Sequence, residues 1–192
     1  MNGRATDSSS YQTPRVGLLG IMQELYDDMI PGITDTQGGY AQRIADQLED
    51  VVDVTFQEPA RNRQDIERQM RAFNEEGLDG VLLVMLTFSP AMRTVRALSE
   101  NELPVMLANV QPERRITKED MDDLTYNQGV HGAQDLVNTL TRMGIHEVIR
   151  GCRAGARGGI LRIDRSQRPA NPSRKIRTKK PHPEGWGNFT SR

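Results

Sequence analysis

Val81-Leu82-Leu83-Val84-Met85-Leu86 is a continuous run of apolar residues, and its continuity decides the fold. A strand covered on one face alternates apolar and polar residues, whereas one covered on both faces reads as an unbroken apolar run. Working outward, Pro90 suits a first helical turn and predicts a helix through Asn101. Pro104 to Val110 (PVMLANV) then reads as a further strand. On the other side, Asn62 to Glu76 places Ile66, Met70 and Phe73 on one helical face, with Gly77 as the stop. Val51 to Glu58 reads as a strand, and Gly38 to Asp50 as a helix with Tyr40, Ile44 and Leu48 four apart. Arg15 to Met22 (RVGLLGIM) is the first strand. Beyond the fourth strand, Val130, Leu136, Val137, Leu140 and Met143 recur at helical spacing over residues 128–143, and His146 to Ile149 begins a fifth strand.

Four or five short strands alternating with amphipathic helices predict an α/β fold: a doubly wound, flavodoxin-like parallel sheet with helices on both faces. Ligands of such sheets bind in the crevice beyond the carboxyl ends of the strands. That rule selects four loops, Gln23–Gln37, Glu58–Asn62, Thr87–Pro90 and Gln111–Gln128. No internal repeat is present.

The chain has 192 residues and a formal net charge of −1, which hides a strong asymmetry. Residues 150–192 carry 12 Lys or Arg against two Asp or Glu, whereas residues 1–149 carry 13 against 24. Hydrophobic content is 36%, below the roughly 45–50% of an ordinary domain on a count that includes Gly. Much of the polar excess lies at the two ends, so the middle is long enough to bury a core. Residues 1–14 read as a disordered N-terminus, 15–151 as the α/β domain, and 152–192 as a basic tail rich in Arg, Pro and Gly, also expected to be disordered. No run approaches the roughly 18 apolar residues of a membrane span, and the N-terminus lacks the apolar core of a secretory signal. Cys152 is the only cysteine, which excludes an intramolecular disulfide and any multi-thiolate metal site. A cytoplasmic protein with no membrane partner is the expectation.

Candidate chemistry is sparse. Gly17 and Gly20 lie inside the first strand, so they form no dinucleotide-binding turn, and no phosphate-binding P-loop occurs. Gln23, Glu24, Tyr26, Asp27, Asp28 and Asp35 sit at the expected binding edge, though spacing alone favours a solvated acidic loop. On spacing alone His131 also favours a structural or surface role, since a metal site needs convergent partners. Asp120, Asp122 and Asp123 suit the positive end of a helix equally well. Met70, Met85, Met92 and Met106 read as core filler. The basic tail could neutralise phosphates, but it lacks the aromatic rhythm of a binding platform, so a nucleic-acid partner is not expected.

Three stretches change this balance. Gln23-Glu24-Leu25-Tyr26 resembles the Q-x-L-Y loop of the L-arabinose isomerase family, to which L-fucose isomerase is more distantly related. Thr87-Phe88-Ser89-Pro90 is similar to the family's T-F-S-P motif, and Asn127-Gln128-Gly129-Val130-His131-Gly132 to its N-Q-x-x-H-G motif. All three fall at the ligand edge, in the family's order. The resemblance implies an aldose–ketose isomerase working through a cis-enediol, with Mn2+ holding the sugar oxygens and Glu and His residues as ligands and proton-transfer groups. It also implies that Gln23, Leu25 and Tyr26 line the sugar pocket, that Phe88 gives it an apolar wall, and that Gln128 and His131 reach sugar hydroxyls.

The resemblance covers about residues 15–150 and stops near Gly151, where the charge reverses. A frameshift there is the expected cause. The metal ligands of the family come from later domains, so this chain is expected to hold no catalytic residue, to bind no metal, and to be inactive alone. The family's homo-oligomer is not expected to assemble normally. A sugar-binding or regulatory module without catalysis is the alternative, and nucleic-acid binding through the tail a third.

Overall fold

The computed structural model describes residues 12–112, 121–144 and 152–153. Five strands, β1 (Arg15–Ile21), β2 (Asp53–Thr55), β3 (Gly80–Met85), β4 (Val105–Asn109) and β5 (Cys152–Arg153), form one all-parallel sheet in the order β2-β1-β3-β4-β5. The helices are α1 (Leu25–Met29), α2 (Ile33–Asp46), α3 (Arg63–Glu75), α4 (Val95–Ser99), α5 (Met121–Tyr126) and α6 (Gly129–Arg142). The doubly wound, flavodoxin-like α/β class expected from the sequence is therefore the observed one.

Every residue of β3 is buried, as the unbroken apolar run requires. In-register pairing of Leu18 with Leu82 and of Ile21 with Met85 aligns the alternation of β1 with that of β3. Successive side chains then go to opposite faces. Leu19, Ile21, Leu83, Met85 and Leu107 meet Ile66, Met70 and Phe73 of α3 together with Leu136 and Leu140 of α6. Leu18, Met22, Leu82, Val84 and Leu86 meet Ile33, Ala41 and Ala45 of α2 on the other face. This division follows from strand order. The β1-to-β2 connection runs in the opposite direction across the sheet from the later ones, and a common crossover hand puts it on the opposite face.

Several boundaries differ from the sequence reading. The second helix begins at Ile33, five residues before Gly38, because Gly32 takes the left-handed turn (φ 84°). Its buried stripe is Ile33, Gln37, Ala41 and Ala45, while Tyr40 and Ile44 are half-buried. Gly38 stays inside this helix, where a Cβ would only meet Pro59 at 3.5 Å. The helix expected from Pro90 to Asn101 is divided into a 3-10 turn at Ala91–Arg93 and α4, since Pro90 itself is extended (ψ 130°). Within α6, Val137 and Met143 are exposed and the small residues Gly129, Gly132 and Ala133 are buried. Met70 and Met85 are buried in the core and Met106 packs half-buried against it, so only Met92 of the four methionines is exposed. The fifth strand comes at Cys152–Arg153, inside the segment assigned to the tail. His146 to Ile149, residues 1–11 and residues 154–192 lie outside the described residues, as do the side chains of Asp120, Asp122 and Asp123.

The α3 helix shows how closely local sequence matches local structure. Asn62 is its extended N-cap, and its Oδ1 accepts a hydrogen bond from the Asp65 backbone N at 3.0 Å. Gly77 ends it in the left-handed region (φ 62°). Between them Phe73 lies over β1, where a Cβ on Gly17 would come within 2.7 Å of its ring. The glycine inside the strand is thus a seat for the ring.

Gly17→Ala is therefore expected to destabilise the fold by about 1–3 kcal/mol through overpacking. Gly17→Ala combined with Phe73→Leu should be less destabilised than the sum of the two single variants, as read from urea unfolding midpoints. Strict additivity would show that the ring is not seated on Gly17.

Candidate functional site

In a sheet of this order the chain leaves β1 toward β2 on one side and β3 toward β4 on the other. The carboxyl ends of β1 and β3 therefore flank the crevice where ligands bind in this fold. The two ends are joined directly. Leu86 donates its backbone N–H to the Ile21 carbonyl at 2.7 Å, and the Gln23 backbone N–H reaches Thr87 Oγ1 at 3.3 Å. Thr87 is fully buried, so its hydroxyl is a fixed part of the edge.

The loop after β1 folds back as α1. Tyr26 points its phenol at α6, donating to Gln128 Oε1 at 3.5 Å across 102 residues of sequence. Burial raises the Tyr26 phenol above its ordinary value of 10. Gln128 is the N-cap of α6, and its carbonyl accepts the His131 backbone N–H at 3.1 Å, so the two side chains share the first turn of that helix. His131 is exposed and Gln128 half-buried.

Close packing lets α6 approach this edge. A Cβ on Gly129 would stand 2.1 Å from the Met85 carbonyl oxygen, and one on Gly132 would stand 2.5 Å from Met85 Cε. No other residue type fits at Gly129 without moving backbone. Asp135, one turn further along, accepts the Ala91 backbone N–H at 2.9 Å and so holds the turn that follows Pro90.

The structure thus brings Gln23, Tyr26 and Gln128 to one edge and sets His131 on its rim. Leu25 is exposed on α1, and Phe88 is half-buried after β3, its carbonyl accepting from Thr87 Oγ1 at 3.1 Å. Charged residues around the rim are largely paired. Asp27 holds Thr34 through one carboxylate oxygen and Arg61 through the other at 3.1 Å, while Glu24 lies 3.9 Å from Arg93 and accepts from Asn62 at 3.2 Å. These pairs are partly exposed and contribute at most about 1 kcal/mol each. Their effect is to fix the loops beside the amide, phenol and imidazole groups of Gln23, Gln128, Tyr26 and His131. Among the described residues no three His, Cys, Asp or Glu side chains form a group that could hold a metal ion. The described residues of this edge therefore do not fit a divalent metal. A cavity of about 230 Å³ lies between α3 and α4, but none of its lining residues belongs to this edge.

Sequence reasoning missed Gln37, Thr34 and Gln111. Gln37 is buried and donates through Nε2 to the Tyr126 carbonyl at 3.4 Å, and Gln111 does the same to the Asn127 carbonyl at 3.4 Å. The signal for Gln37 was present, since it interrupts an otherwise apolar stripe of α2 at four-residue spacing.

Fold and edge together define a doubly wound α/β domain whose polar groups gather where the strand order reverses. The L-arabinose isomerase N-terminal domain family matches residues 12–168, and the chain belongs to that family. The match runs past Gly151, the position near which the sequence reading ended the resemblance. An L-arabinose isomerase of Phocaeicola vulgatus is 30% identical over 101 residues, taking in 51% of this chain and 20% of the relative. One from Bacteroides thetaiotaomicron is 29% identical over the same length and shares. The chain thus matches about a fifth of the length of these curated relatives. Among solved structures, a fructose-binding periplasmic domain of a hybrid two-component system matches with a TM-score of 0.29 and 14% identity, covering 50% of this chain and 29% of that one. The trehalose repressor of Escherichia coli matches with a TM-score of 0.34 and 12% identity, covering 73% and 60%. At those scores neither likeness carries an argument. Among the described residues no helix is long and apolar enough to cross a membrane.

Gly129→Ala is expected to destabilise the domain by more than about 2 kcal/mol, the new methyl meeting backbone. Gly39→Ala on α2, where the nearest atom to a new Cβ is Arg43 Nη1 at 3.8 Å, should instead stabilise it by about 0.5–1 kcal/mol. Equal effects in thermal unfolding would refute the close approach of α6. A second expectation concerns pH. Burial pushes the Tyr40 phenol up to about 12 against the opposing charge of Arg43, and Tyr26 moves the same way. The folded state then keeps protons that the unfolded chain has lost, so stability holds below pH 10 and falls as pH rises from 10 through about 12. Tyr40→Phe should flatten most of that fall in urea midpoints, and an unchanged slope would exclude this cause.

Proposed function

We propose that this domain supplies sugar-contacting residues to an L-arabinose-type aldose–ketose isomerase. The metal ligands and proton-transfer groups come from sequence outside the matched domain. The observation that carries the reading is the Tyr26–Gln128 hydrogen bond, which joins two separate family motifs at the crevice of the fold. The third motif is bonded to the first through Thr87 and Gln23.

In this reading Gln23 and Gln128 offer amide donors and acceptors to sugar hydroxyls, and the Tyr26 phenol, neutral at working pH, both donates and accepts. Leu25 and Phe88 present apolar surface to the C–H face of the sugar, and His131 closes the rim. These groups bind and orient; none of them is assigned the proton shift between the two carbon atoms, and none is assigned to Mn2+, which would polarise the carbonyl in the complete site. A homo-oligomer in which this edge completes a neighbouring subunit's site agrees with the exposure of Leu25. The single cysteine supports a cytoplasmic setting.

The test is an isomerase assay on the purified chain with L-arabinose and Mn2+, beside a calorimetric titration of the sugar. The expected result is no turnover and weak binding, with Gln23→Ala and His131→Ala each weakening it about tenfold, which corresponds to roughly 1.4 kcal/mol. Turnover by the chain alone would overturn the assignment of proton transfer to other residues. Binding unaffected by both substitutions would overturn the pocket.

A further inference from the structure

We propose that Gln37, together with Gln111, is a positioning residue: the two amides hold the Tyr126 and Asn127 carbonyls and thereby fix where α6 begins and how it presents Gln128 and His131. The role of the clamp in ligand binding rests on the sugar-contacting reading given above.

Gln37 occupies a core position of α2, between Ile33 and Ala41, and is 1% exposed. A leucine there would add apolar burial. The amide instead brings a desolvation penalty that only its hydrogen bonds can offset. One half of that amide is used, Nε2 donating to the Tyr126 carbonyl at 3.4 Å. The other half, Oε1, is buried with no hydrogen-bond partner among the described residues. A group retained at this cost is poorly explained by stability, but it has a geometric consequence. Tyr126 ends α5 and Asn127 begins the link to α6, two and one residues before Gln128. Gln111, coming from the loop after β4, donates to the Asn127 carbonyl at 3.4 Å. Consecutive carbonyls are thus held by amides from two separate segments, while the Tyr26 phenol donates to the next side chain, that of Gln128. A short link held at two successive peptides has little freedom left. The helix that follows starts in one place, and Gly129 can meet Met85 without a Cβ between them.

The experiment uses the full chain and amide hydrogen exchange read by NMR. Gln37→Met keeps the length and removes the donor. It is expected to leave global stability equal or higher while amides at Gln128 to Gly132 exchange about five- to tenfold faster, the scale of one lost hydrogen bond. Protection at Leu82 to Val84 should not change. Gln111→Ala, at an exposed position that carries no folding risk, should accelerate the same amides to a lesser degree. The clamp is overturned if Gln111→Ala leaves those amides unchanged, or if Gln37→Met weakens protection evenly through the sheet. In the same samples, L-arabinose binding should weaken about tenfold in Gln37→Met and be unaffected by Gln42→Ala on the outer face of α2. Failure of the unsubstituted chain to bind the sugar would count against the sugar reading alone, because the exchange pattern decides the clamp by itself.

Discussion

The approach of α6 to the end of β3 is the constraint on which the edge depends. Gly129 meets the Met85 carbonyl with no room for a side chain, and Gly132 lies against the Met85 methyl. Backbone-to-backbone contact at this distance leaves the helix no freedom to slide, because any shift brings the Cβ of a neighbouring residue into the strand. The helix is in turn fixed to the next loop by Asp135, which takes the Ala91 N–H. Strand, helix and turn therefore form one rigid corner. The three polar motifs are carried on that corner, which is why residues more than a hundred positions apart in the chain can share a hydrogen bond.

A parallel sheet makes such a corner cheaply. All its strands end on the same side, so each strand-to-helix loop is delivered to one edge without special design. The reversal of strand order between β1 and β3 then opens the only place where two adjacent loops leave in opposite directions. The Leu86 N–H donating to the Ile21 carbonyl and the Met22 N–H donating to the Ala60 carbonyl lock the floor of that opening. At this edge Thr87 and Ser89 are fully buried, whereas Gln23, Tyr26 and Gln128 are half-exposed.

The sheet was legible because its determinants are local. The VLLVML run needs no tertiary knowledge to be read as a doubly covered strand, and Asn62 and Gly77 mark the ends of α3 by capping chemistry that acts within four residues. The boundaries that failed depend on partners far away. The 3-10 turn after Pro90 is satisfied by Asp135, and the early start of α2 depends on Gly32 reaching a left-handed conformation that spacing does not reveal. The site divided in the same way. Gln23, Tyr26 and Gln128 were visible through their motifs, whereas Gln37 and Gln111 act on carbonyls, and a carbonyl has no sequence signature. Only the polar interruption of an apolar stripe marked Gln37, and interruptions of that kind also occur at Gln69, whose amide goes to the Glu58 carbonyl at 3.1 Å. The two glutamines show that a buried amide on a helix is used here to hold a loop carbonyl, once on each face of the sheet.

Charge placement completes the physical picture. Asp27, Glu24, Arg61 and Arg93 surround the crevice, yet they are tied to one another or to Thr34 and Asn62. Partly exposed pairs of this kind add little stability, so their value is in where they hold the loops and in the field they cancel. The cancellation is local, because Asp28 and Asp35 on the same edge make no ion pair among the described residues, so the rim keeps an acidic side that these pairs do not neutralise.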